Sequence, residues 1–475
     1  MKKHIVLLIL TILPFITTKA QKFPIVTNNY DLDLSIDFSQ KKLNGVCQIE
    51  LENTSDSTIS EIPILLYRLM KIEYVKDFSD NDLLFQQNII EFSDFPLLQV
   101  NSVSIKTTIL PHQKKVLKLK YNGYLIGYSE TGMKYIKDRI SPEFTLIRND
   151  AYSYPLLAKP SLNFLRQNIN HNFNYTINVT VPDSLMVANG GILLNKEKKD
   201  DLTTYTYRSK KPNWRIDIAI APYKMLSTDR IDIFYYNDSI ATKALADYGM
   251  SSFALYEKWW GKLRNDNTIT VIETEKGSGG QADETTILLP YETFTNKAHY
   301  DQLYHELSHL WNVKIIENKG LSPRWEEGLA TFSQYLVTEK LEDEKGYLKR
   351  VTNRNINWLK SSFKKNPILL ETPMIEFGDK QLTNYSYVQG MIIFCTLYYW
   401  LGENKFNQVI RDFYQTYYSK GASTEQFTDM WYNIIKNKRI KSFFNDWVYT
   451  TNYINIIEKN MNIDDIINYY TNISK

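Results

Sequence analysis

The stretch Tyr304-His305-Glu306-Leu307-Ser308-His309-Leu310-Trp311-Asn312-Val313-Lys314 holds two of the six histidines of a 475-residue chain, four positions apart. Four residues is just over one helical turn, so on a helix both imidazoles leave the same face. Leu303, Leu307, Leu310 and Trp311 form another stripe that can face a core. Neutral imidazoles suit zinc, and a third protein ligand completes such a site while leaving one position for water. Glu306 follows His305 directly, where its carboxylate can reach that water as a general base. Two surface histidines beside a glutamate are the plain alternative, and a third ligand decides between the two.

That ligand is expected in Ser322-Pro323-Arg324-Trp325-Glu326-Glu327-Gly328-Leu329-Ala330. Ser322 can cap a helix and Pro323 suits its first position. Glu327 then lies one turn in, with Glu326 as the competing ligand. Gly328 inside a helix costs about 1 kcal/mol relative to Ala, and its expected use is to let this helix pass close to the one carrying the histidines. The expectation is one Zn²⁺ per chain, held by His305, His309 and Glu327.

Outward from this centre the chain has two textures. From Tyr30 to about Met225 the pattern is short and alternating, as in Leu32, Leu34 and Ile36, in Val116 to Tyr121 and in Tyr175 to Val181. Such runs predict strands with one buried face. Pro182 and the Gly190-Gly191 pair mark turns. Beyond residue 239 helical spacing takes over, first with Leu245, Tyr248, Met250, Phe253 and Tyr256, interrupted by a strand at Thr268 to Thr274. The fold class expected is multidomain α+β: a β domain over 21–228, a mainly α catalytic domain over 229–455, and a loosely docked tail helix over 456–475.

Lys2 and Lys3, the apolar run Ile5 to Ile16 and the small-residue stop at Ala20 read as a signal peptide over 1–20. Export to a periplasm or beyond is therefore expected, with no stable membrane anchor. Those twenty residues carry three lysines and no acid, so without them 53 basic residues face 53 acidic ones. A chain that neutral offers no field for nucleic acid. The two cysteines, Cys47 and Cys395, are expected to be buried free thiols.

With these residues in view, His305-Glu306-x-x-His309 followed by Trp325-Glu326-Glu327-Gly328-Leu329-Ala330 resembles the gluzincin metallopeptidases. The most similar group is the alanyl aminopeptidase and leukotriene hydrolase family, whose Asn-Glu-Gly-Phe-Ala element supplies the third ligand at the position of Glu327. The intervening loop is one residue shorter than that family usually has, and Glu326 stands in place of Asn. The resemblance implies an antiparallel β saddle or sandwich ahead of a thermolysin-like catalytic domain, a peptide substrate, and removal of N-terminal residues. Asn384-Tyr385-Ser386-Tyr387-Val388-Gln389-Gly390 is similar to that family's Tyr-x-Lys-Gly element, which assigns the oxyanion-binding phenol to Tyr387, with Tyr385 as the alternative. Upstream, the family's amine-binding Glu falls on Ala282 in the stretch Gly277 to Pro290. Gly280, Asp283 and Glu284 are the substrate-binding candidates there, one of the two acids supplying the missing charge. If neither does, a metallopeptidase without strict N-terminal preference or a catalytically weakened peptide binder is implied instead. His309 to Lys314 also resembles the glycyl aminopeptidase group. No oligomeric state is assigned.

Overall fold

The computed structural model describes residues 23–127, 136–168, 171–236, 238–264, 268–459 and 461–472. The expected signal segment, 1–20, lies outside the described residues.

Alternation builds the first half. In Ile25–Asp37 the side chains of Tyr30, Leu32 and Leu34 are buried while Asp31, Asp33 and Ser35 are exposed. This strand sits inside a seven-stranded sheet whose neighbours are antiparallel, with one exception: it runs parallel to Asn174–Pro182. A four-stranded sheet built on Ile59–Tyr67 and Phe95–Ile109 packs over it. Ile62, Ile64, Val103 and Ile105 share one core with Leu117 and Leu119 of the larger sheet. A sandwich results, with Cys47 fully buried and free within it.

The second half starts from a five-stranded sheet. Ile231–Tyr235, Ile269–Thr274 and Thr286–Pro290 run parallel, and Lys224–Ser227 and Gln281–Ala282 close its two edges antiparallel. The sheet thus begins at Lys224, a few residues ahead of the expected domain start at 229. Helix Ser239–Trp260 is capped by the Asp238 carboxylate, which accepts from the N–H groups of Ile240 and Ala241. Tyr300–Ser308, Trp325–Leu341 and Ser386–Leu401 follow and share its core. The helix Ile463–Asn472 departs from expectation. It is not loosely docked: Ile463, Ile466 and Tyr470 are fully buried in the same core, and the Tyr470 hydroxyl donates to Asp446 at 2.9 Å.

The halves meet through a small apolar cluster of Phe144, Leu146, Ala188, Ala219, Ala221 and Tyr223 against Phe234, Ile272 and Leu288. Tyr223 donates to the Glu273 carbonyl at 2.6 Å, and Arg139 grips Glu275 with two bonds of 2.9 and 2.7 Å. Gly190 serves this seam: a Cβ there would lie 1.9 Å from Thr286 Oγ1. Its role is close approach between domains in addition to the turn expected of it.

Candidate metal centre and active site

Helix Tyr300–Ser308 and the 3₁₀ turn His309–Trp311 that continues it carry the two imidazoles. Trp311 locks this turn to the core by donating to the Gly261 carbonyl at 2.8 Å and packing on Phe253, Tyr256 and Trp260. Glu327 enters from the first turn of helix Trp325–Leu341. His305, His309 and Glu327 bring one ligand atom each to within 4.8 Å of one another. Glu327 Oε2 lies 3.3 Å from Nε2 of both histidines. Two tetrahedral bonds to zinc of ~2.05 Å separate their outer atoms by ~3.3 Å, so the donor set fits that ion in type and spacing. Glu326 does not join this cluster.

The far side of each imidazole is also held. His305 Nδ1 is 2.7 Å from Gln334 Oε1, and Gln334 in turn donates to Asp301 at 3.1 Å. His309 Nδ1 is 2.6 Å from the side-chain amide of Asn312. With its Nε2 turned toward Glu327, His305 carries the proton on Nδ1 and donates it to Gln334 Oε1, which fixes its tautomer and ring plane, while the Asn312 amide nitrogen braces the His309 ring at Nδ1. Gln334 and Asn312 escaped the sequence reading. Their only signal is position: Asn312 is three residues past His309, and Gln334 is seven past Glu327, two turns along the same helix face.

Burial pushes the Glu306 carboxyl up to about 7, with His305 pulling the other way. Burial also works against charge on Glu327, yet His309 and Arg324 hold its carboxyl well below the usual range. Gly280 lies at the site, where a Cβ would sit 2.5 Å from Glu306 Oε1. Tyr387 lies beside the triad, its ring parallel to His305 at 6.0 Å, and burial followed by the Glu327 charge raises its phenol. Tyr385 turns elsewhere, against Trp358 and the Asn366 amide. Gln389, at the position of the resembling family's Lys, points into the core and donates to the Trp447 carbonyl at 2.8 Å.

Three expectations need correction. Gly328 does not ease contact with the histidine helix. A Cβ on it would lie 2.4 Å from the Cα of Gly390, so it brings the ligand helix against Ser386–Leu401, the helix of Tyr387. Asp283 is buried and lines the cleft, but its carboxylate is already engaged: its Oδ1 accepts the N–H groups of Thr285 and Thr286 at 2.6 and 2.7 Å. Burial and Asp217 push its carboxyl up to about 6. Glu284 pairs with Lys211 of the β domain at 2.7 Å. Both acids beside Ala282 are thus engaged, Asp283 by its own turn and Glu284 by the β domain.

The cleft holding these groups has a volume of about 2070 Å³ and is lined from both halves. The β domain contributes Asp138, Arg148 and Asp150 opposite the triad. Arg148 pairs with Asp138 at 2.8 Å and reaches Gln281 on the edge strand at 3.1 Å. Asp150 pairs with the buried Arg215 at 3.0 Å.

Residues 282–447 match the model of the peptidase family M1 domain. Among solved structures, an M1 zinc metallopeptidase from Deinococcus radiodurans is similar over 90% of this chain and 94% of its own, at TM-score 0.65 and 15% identity. A mutant of that enzyme bound to a Tyr-Ser-Ala substrate gives 0.66 over the same shares and at the same identity. A two-domain M1 zinc metallopeptidase mutant bound to L-tryptophan gives 0.65, again at 15% identity, over 90% of this chain and 95% of its own. The match of residues 282–447 to the M1 peptidase domain, the two-domain fold shared with M1 zinc metallopeptidases and a triad with the spacing zinc requires support a zinc-dependent, aminopeptidase-like peptidase.

Proposed function

We propose that the protein removes N-terminal residues from peptides by hydrolysis, with Glu306 as general base and Tyr387 as oxyanion donor. The observation that carries this reading is the position of Glu327 Oε2, equidistant from the two Nε2 atoms, with Glu306 one residue from His305 and Tyr387 stacked beside it. Zinc, when bound, polarises the scissile carbonyl and the attacking water. Glu306 takes a proton from that water and passes it to the leaving amine, a transfer that suits a carboxyl whose pKa is raised toward neutrality. The Tyr387 hydroxyl donates to the oxygen of the tetrahedral intermediate. Peptide backbone binds along Gln281–Ala282, which ends its sheet, through main-chain hydrogen bonds. Lys2, Lys3 and the apolar run after them support export, with cleavage after Ala20; the N-terminal residue of the purified protein checks it.

A second reading has an observation of its own. Ala282 leaves the edge strand without a carboxylate, and its acidic neighbours are engaged elsewhere. The enzyme would then cleave peptides without strict need for a free amine. Cleavage of a proteome-derived peptide library by the purified chain, with and without chelator, reports activity, metal need and end specificity together. Equal turnover of a free-amine peptide and its acetylated twin excludes the aminopeptidase reading in favour of the second. Zinc content without cleavage of any library peptide excludes both.

A further inference from the structure

The two oxygens of Glu327 have different neighbours. Oε2 faces the imidazoles, whereas Oε1 accepts a hydrogen bond from Nη2 of Arg324, three residues earlier. Arg324 is delivered to this point by its backbone. It has φ 57° and ψ 42°, in the left-handed region that a residue with a Cβ seldom enters. That conformation is pinned on every side. The Arg324 N–H donates to Ser322 Oγ at 3.0 Å, its carbonyl accepts the Glu327 N–H at 3.2 Å, and the preceding Pro323 carbonyl accepts from Ser386 Oγ. The side chain is 50% exposed and lines the cleft, so core packing does not explain it. Glu326 Oε1 is farther from the guanidinium, at 3.7 Å from Nε.

We infer that Arg324 is a positioning residue for the metal ligand. By engaging Oε1 it offers the ion Oε2 alone, makes Glu327 a one-oxygen ligand, and keeps the remaining coordination position for water. A carboxylate free at both oxygens can instead close on a divalent ion with both and take that position. The sign of the effect separates orientation from charge. A guanidinium acting only as a nearby cation repels a metal ion, and its removal tightens metal binding. One that orients the ligand does the opposite, because partners behind metal ligands typically contribute ~10–100-fold to affinity.

The test rests on the zinc assignment and uses wild-type protein, Arg324→Gly and Arg324→Lys. Glycine adopts the left-handed backbone freely, so Arg324→Gly removes the side chain without burdening the fold. Zinc affinity is measured by competition with a chromophoric chelator, and coordination by the visible absorption of the Co²⁺-substituted proteins. Arg324→Gly is expected to bind zinc ~10–100-fold more weakly, with cobalt bands weakened as coordination number rises. Arg324→Lys, which keeps the charge and one donor, is expected to recover part of both. Equal or tighter zinc binding by Arg324→Gly overturns the inference. So does weaker binding with an unaltered cobalt spectrum, the result a merely structural side chain gives. Failure of the wild-type protein to bind zinc removes the metal assignment itself, which is a different outcome.

Discussion

On one wall of the cleft, Glu306 and Glu327 rise from two helices, Glu327 against both imidazoles and Glu306 beside Gly280. On the other wall Asp138, Asp150 and Glu284 are each met by a cation, at Arg148, Arg215 and Lys211, and Asp283 is closed off by backbone N–H groups. Both walls are acidic in sequence. They differ in what holds them. The helical wall is fixed by packing within one core, through Gly328 against Gly390 and Trp311 in its aromatic nest, so its carboxylates are left for chemistry. The strand wall stands at a seam between two cores, where a buried carboxylate without a partner is costly, and its acids serve the seam.

This contrast can be broken at four points. The largest effect is expected on the helical wall. Glu306→Gln should retain zinc and lose ~10²–10⁴-fold in kcat; metal analysis beside steady-state kinetics checks it, and undiminished turnover removes Glu306 from the mechanism. Tyr387→Phe should lower kcat by ~10²–10³-fold with little change in KM, while Tyr385→Phe stays near wild type. An equal loss from Tyr385→Phe would move the role. Gly328→Ala drives a methyl into the Gly390 backbone and should destabilise the protein by ~1–3 kcal/mol in urea unfolding. A neutral result would mean that the two helices can separate.

The smallest effect belongs to the strand wall. The Asp283 carboxyl has a folded pKa of about 6, raised above its ordinary value of about 4 by burial and Asp217. The folded state therefore holds this proton more tightly than the unfolded state does, and the contribution of Asp283 to stability falls as pH rises from about 4 through about 6. Asparagine at 283 can still accept the Thr285 N–H but does not titrate. Asp283→Asn should therefore gain relative to wild type across that window, on the order of 1 kcal/mol by melting. Parallel pH profiles for the two proteins would place Asp283 outside the titration.

The difference between the walls is also the difference between what could and could not be read from the chain. His305 and His309 were legible because a four-residue interval on a helix fixes direction without reference to anything distant. Glu327 followed although the cap did not: the helix starts at Trp325 behind a left-handed Arg324 with no side-chain cap, three residues after the expected cap at Ser322. The strand alternation around Leu32 and Leu34 was legible for the same local reason. The partner of Gly328 was not, because a glycine announces a close approach but not which helix approaches. Asp283 does line the cleft, but nothing local shows that the Thr285 and Thr286 N–H groups would engage its carboxylate. The docking of Ile463–Asn472 depends on contacts more than a hundred residues away, at Asn353 among others. Arg324 was passed over because a left-handed turn for an arginine has no signature in the sequence.

One free cysteine lies in each half, Cys47 in the sandwich and Cys395 on the helix of Tyr387, both fully buried. Burial raises both thiols, that of Cys395 to about 12, so neither reacts with an alkylating reagent while its half stays closed. The molecule thus carries two native probes of local opening. Mass-resolved thiol labelling would time each half separately, and loosening of the metal-side helices by chelation would speed modification at 395 and leave 47 untouched.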